Sequence, residues 1–115
     1  MIEENLNLKE NTFLQKLNDY GDFCINDYND LVIYIVKLND SKIDDLKRLE
    51  ISNKVWELSY LISNYLCNAQ NKDDIYEIQN LNEILDLDIK NKLYYVANFF
   101  SYNKKIDLSF ALLLK

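Results

Sequence analysis

The chain has no histidine, no proline and a single glycine, Gly21. Without histidine, the commonest general base and the commonest metal ligand are both missing, and most hydrolase, transferase and zinc chemistries go with them. One glycine cannot build a P-loop or a dinucleotide fingerprint, which need several at fixed spacing. Cysteine is scarce: Cys24 and Cys67 allow one disulfide at most, too few for a small secreted scaffold. Each lies among apolar neighbours and reads as a reduced, buried thiol. Positive charge is also short, with 13 basic against 19 acidic residues and a net charge of −6. No basic run exceeds the pairs Lys47-Arg48 and Lys104-Lys105, so direct binding of DNA or RNA is not expected. The longest apolar run, Leu31 to Val36, is far below membrane-spanning length. Met1-Ile2-Glu3-Glu4-Asn5 is acidic where a signal peptide is basic, and the expectation is a soluble, cytoplasmic protein.

What is present suits one compact unit over residues 1–115. The apolar fraction is 49% and the 28% of charged residues are spread along the chain, which argues against disorder. Sixteen asparagines, twelve isoleucines and twelve lysines against one arginine fit an AT-rich coding bias, so these abundances say little about function.

Ile51, Val55, Leu58, Ile62, Tyr65, Leu66 and Ala69 recur at three- and four-residue steps, the signature of a helix face. Trp56, Tyr60 and Leu61 add apolar surface beside that stripe, which marks this helix as central. Asp73 or Asp74 can cap a following helix carrying Ile75, Ile78, Leu81 and Leu85. Asp88 can cap another carrying Ile89, Leu93, Val96, Ala97 and Phe100. Ser41-Lys42-Ile43-Asp44 reads as a capping box for a short helix with Ile43, Leu46 and Leu49 on one face, separated from the central helix by a break near residues 50–53. Phe13, Leu14, Leu17 and Tyr20 suggest an earlier helix closed by Gly21 in a left-handed C-cap. The β-branched stretch 31–38 and the alternating Ile106, Leu108, Phe110, Leu112 and Leu114 fit either helix or strand. The fold expected is an all-α, antiparallel bundle of about five to seven short helices. Its alternative is an α+β fold with a two-stranded pairing of 31–38 and 106–114.

One internal repeat stands out. Asn18-Asp19-Tyr20-Gly21-Asp22-Phe23-Cys24-Ile25 is followed directly by Asn26-Asp27-Tyr28-Asn29-Asp30-Leu31-Val32-Ile33, with no lysine or arginine among the four aspartates. An EF-hand reading fails, because no register supplies the alternate ligands, the central glycine and the terminal glutamate together. Asparagine and aspartate also favour turns and caps, which gives the repeat a purely architectural reading in which Tyr20, Phe23, Tyr28 and Leu31 anchor a connector on the core. The functional reading is an acidic, aromatic surface of Asp19, Tyr20, Asp22, Phe23, Asp27, Tyr28 and Asp30 that docks a basic partner. Charge asymmetry favours it: residues 1–50 carry eleven acidic and six basic side chains, and the remainder eight and seven. Tyr95, Phe99 and Tyr102, at i, i+4 and i+7, form a second candidate surface. No catalytic constellation is present, since neither cysteine has a histidine and Ser59 and Ser63 have no base. No cofactor or metal is expected. The expected function is that of a small acidic protein that occludes the basic surface of a partner such as a toxin or nuclease, as a toxin-immunity protein does. A phage-type inhibitor of a host nuclease or defence complex, or an architectural subunit that self-associates through aromatic helix faces, are the alternatives.

Overall fold

The computed structural model describes residues 1–114, and among them the only regular elements are helices: α1 (Ile2–Leu6), α2 (Phe13–Tyr20), α3 (Ile25–Asp40), α4 (Asp45–Gln70), α5 (Leu81–Leu85), α6 (Ile89–Ser101) and α7 (Leu108–Ala111). The bundle is the all-α arrangement expected, without strands among the described residues. No described helix is long and apolar enough to cross a membrane.

Local chemistry sets most helix ends. Thr12 caps α2 by accepting from Gln15 N, and Gly21 ends it in the left-handed region at φ 61°. Asp44 caps α4 by accepting from Lys47 N at 2.7 Å. The expected capping box is therefore displaced: Ser41 belongs to the end of α3, where its hydroxyl donates to Leu38 O. The expected break at 50–53 is also absent. α4 runs unbroken for 26 residues because Arg48, Ile51, Ser52 and Val55 share its buried face, while Leu46 and Leu49 point outward.

α4 and α6 lie antiparallel and form the main packing pair. Ser52 and Trp56, near the start of α4, bond Ser101 at the end of α6, and Cys67 at the far end of α4 accepts from Lys90 at the start of α6. Ile51, Val55, Leu58, Ile62 and Leu66 from α4 meet Leu93, Val96, Ala97 and Phe100 from α6, and α3 adds Tyr28, Leu31, Val32 and Ile35. Burial of such aliphatic side chains contributes roughly 1.5–3 kcal/mol each before the entropy cost of ordering them. Tyr65, expected in this core, is only half-buried.

Two further expectations change. The helix expected from Asp73 or Asp74 starts only at Leu81. Asp74 instead folds back to accept from Tyr76 N, and Ile75 is 99% exposed. Segment 71–80 is instead tied to α2 and its cap: the Tyr76 side-chain Oη donates to Leu17 O and the Gln79 backbone N to Gly21 O. The segment 31–38 is interior to α3, and 106–114 forms only the single turn of α7. Leu113 finds its partner in a side chain, with the Asn29 amide donating to Leu113 O at 3.0 Å and accepting from Leu113 N at 2.8 Å. That amide satisfies both backbone groups that a neighbouring strand would have paired. The cysteines are free, Cys24 half-buried and Cys67 exposed, so Cys67 is not the buried thiol its neighbours suggested.

Candidate functional site, an acidic corner between two helices

The repeat spans the end of α2, the Gly21 turn and the first two turns of α3. Its two halves therefore occupy different backbone geometries, and equivalent residues have different fates. Asp19 is exposed and accepts from Gln15 Nε2 at 2.8 Å and from Asn18 Nδ2 at 2.7 Å. Those two amides hold its carboxyl below the usual aspartate range. Asp27, its counterpart in the second unit, is drawn inward and pairs with Lys16 Nζ at 2.7 Å, each side chain 29% exposed. The hydrogen bond to Asp27 is the main reason the Lys16 ammonium titrates above its ordinary range, and Asp22 and Cys24 add to it. Asp22 and Asp30 are exposed and make no side-chain hydrogen bond or ion pair among the described residues.

The aromatic members divide the same way. Tyr20 is 65% exposed, whereas Phe23 and Tyr28 are sealed in the core. Phe13, Phe23 and Tyr28 form a ring cluster with centroids 4.9–5.7 Å apart. Phe23 and Tyr28 therefore cannot touch a partner, and their assignment as contact residues is corrected: apolar residues flanking a turn are the ones that fasten it to the interior. The surface that the repeat leaves for contact is Asp19, Tyr20, Asp22 and Asp30, with Asp27 half-buried beside it. An open groove of about 410 Å³ adjoins Asp27 and Asp30, and Phe13, Glu4 and Lys9 are among its other lining residues. Glu77, exposed, is brought to the same corner because its carbonyl packs against Gly21. Sequence reading missed it, and nothing local to residue 77 signals the contact.

The Tyr28 hydroxyl is buried without a hydrogen-bond partner among the described residues, and burial drives its ionisation well above the normal tyrosine range. An orphan hydroxyl costs desolvation without return. Tyr28→Phe is therefore expected to raise stability by about 1 kcal/mol in urea unfolding, and a loss of stability would show that the hydroxyl is satisfied.

The second candidate surface is mostly committed to packing. Tyr95 and Phe99 are half-buried with ring centroids 4.4 Å apart, and Tyr95 also stacks edge-on against Phe110 and accepts from Asp107 N. They hold the start of α7 on α6. Only Tyr102, 69% exposed, remains free for contact, with the Lys104 ammonium above its ring. Among the described residues no three acidic or cysteine side chains converge as metal ligands would. No protein-family model, curated protein or solved structure matches the chain.

Proposed function

We propose that the protein binds and occludes the basic functional surface of another protein, using the corner formed by Asp19, Tyr20, Asp22 and Asp30. The observation that carries this reading is the unequal treatment of the four repeat aspartates. One is neutralised by Lys16, while three stay in solvent beside an exposed tyrosine. Carboxylates gathered within so short a stretch repel one another, Asp22 and Asp30 have no hydrogen bond or ion pair among the described residues to offset it, and a partner's lysines or arginines would relieve that repulsion. Tyr20 supplies contact area at small entropy cost. A toxin-immunity protein and a phage-type inhibitor of a host nuclease would both use such a surface, and the identity of the captured partner separates them. The architectural alternative through Tyr95, Phe99 and Tyr102 has less support, since the first two already carry α7.

The test begins with capture of partners from source cells and their identification by mass spectrometry. Asp22→Lys combined with Asp30→Lys is then expected to slow association with a captured basic partner by roughly tenfold at low salt, with the gap narrowing as salt rises. The melting temperature should stay within a degree or two, because among the described residues neither side chain makes a hydrogen bond or ion pair and Asp22 acts on Lys16 only through space. An unchanged association rate would overturn the docking role of this corner.

A further inference from the structure

The outer face of α4 carries an apolar seam that the bundle uses only at Trp56, which is half-buried and donates its indole N–H to Ser101. Leu46, Leu49, Asn53, Trp56 and Tyr60 follow one another at alternating three- and four-residue steps along the face opposite Ile51, Val55, Leu58 and Ile62. Steps of this kind place side chains in one line, with Leu46, Asn53 and Tyr60 at the a positions of a heptad and Leu49 and Trp56 at d. Leu46 is 69% exposed, Leu49 58% and Tyr60 66%, and Tyr94 of α6, 60% exposed, extends the seam by stacking edge-on against Trp56 at 5.5 Å. Leu46, Leu49, Tyr60 and Tyr94 are each more than half exposed, a grouping of apolar side chains of the kind that marks an interaction surface.

The charges along the seam say what fits it. Glu50 and Glu57 occupy the e positions and Asp45 one g position, while the other g positions, Ser52 and Ser59, are buried in the bundle, so the charges on the exposed flanks of the seam are acidic. Lys47 leans toward Glu50 at 3.8 Å, and Lys54 is committed to Glu3 of α1. A second copy of the chain would set Glu50 and Glu57 against each other in antiparallel pairing, and Asp45 against Glu50 in parallel pairing. Like charges repel it in either orientation. We propose that this seam receives an amphipathic helix of a partner protein, with an apolar a/d edge and lysine or arginine on its flanks. The helix would lie along α4 as in a two-stranded coiled coil, and Asn53 would fix its register by facing a polar residue at the matching layer. This seam is separate from the acidic corner.

Trp56, the single tryptophan of the chain, sits in the seam and reports its occupation directly. The probe is a synthetic four-heptad peptide with leucine at a and d, asparagine at one a position and lysine at e and g. Two controls carry the same residues in scrambled heptad phase, and glutamate in place of the flanking lysines. The expected result is a saturable blue shift of Trp56 emission with the lysine peptide and at least tenfold weaker binding of both controls. Leu49→Glu combined with Tyr60→Glu should remove binding while circular dichroism stays unchanged. Glu50→Lys combined with Glu57→Lys, at exposed positions, should reverse the preference toward the glutamate-flanked peptide, which keeps the test open if the first variant fails to fold. Asp22→Lys should leave peptide binding as it was. Equal binding of the phase-scrambled peptide would overturn the proposal. So would sedimentation equilibrium showing a dimer of the free protein that Tyr60→Glu dissociates, because the seam would then belong to a second copy.

Discussion

Arg48→Leu is expected to destabilise the protein by about 3–5 kcal/mol, and Arg48→Lys by roughly half as much. Arg48 is 8% exposed and, among the described residues, has no carboxylate among its partners. Its guanidinium donates to Asn39 Oδ1 at 2.7 Å, to Phe100 O at 3.1 Å and to Asn39 O at 3.3 Å, and lies over the Phe100 ring at 4.9 Å. Asn39 and Phe100 stand in the last turns of α3 and α6, so one cation closes the negative ends of two helix dipoles. Asn39 extends the clamp by donating to Lys104 O. Leucine fills the volume and leaves buried carbonyls unpaired, while lysine keeps the charge and cannot span both helix ends with one ammonium. Urea unfolding of the three proteins checks the order. Equal stability of the leucine variant would show that water satisfies those carbonyls.

Gly21→Ala is expected to cost about 3 kcal/mol or more. Two penalties combine there. The residue sits at φ 61°, where an L side chain loses roughly 1–2 kcal/mol. A Cβ would also collide with the carbonyl oxygen of Glu77, and that oxygen belongs to backbone, not to a side chain free to swing away. The collision should push segment 77–80 off the bundle and break the bond from Gln79 N to Gly21 O. Gly21→Asn relieves much of the first penalty and keeps the second, since asparagine tolerates the left-handed region but has a Cβ. Both variants are therefore expected to lose stability, alanine more. Hydrogen exchange should show faster exchange at Gln79 in each, and protection equal to the parent would remove the steric part of the argument.

Helix identity was legible wherever one face stayed apolar over several turns. Ile89, Leu93, Val96, Ala97 and Phe100 read correctly as α6 because every one of them is buried. The same rule misled at Ile43, Leu46 and Leu49, whose spacing suggested a separate core-facing helix. Two of the three face solvent on the continuous α4, where apolar spacing on the outer side imitates a change of phase. It misled again at Ile75, where apolar character and spacing suggested burial and the backbone turned away to meet α2.

The sequence by itself determined the predominantly helical class, the left-handed turn at Gly21, the acidic balance and the repeat that concentrates charge between α2 and α3. Each is a local or compositional property, set within a few residues or by counting. Tertiary structure alone decided which repeat residues remain available. Lys16 reaches across from α2 to neutralise Asp27, Phe13 closes over Phe23 and Tyr28, and Glu77 arrives from the connector beyond α4. It also decided that α4 shows apolar surface on both sides. Periodicity records which residues share a helix face, and only packing records which face the neighbouring helices cover.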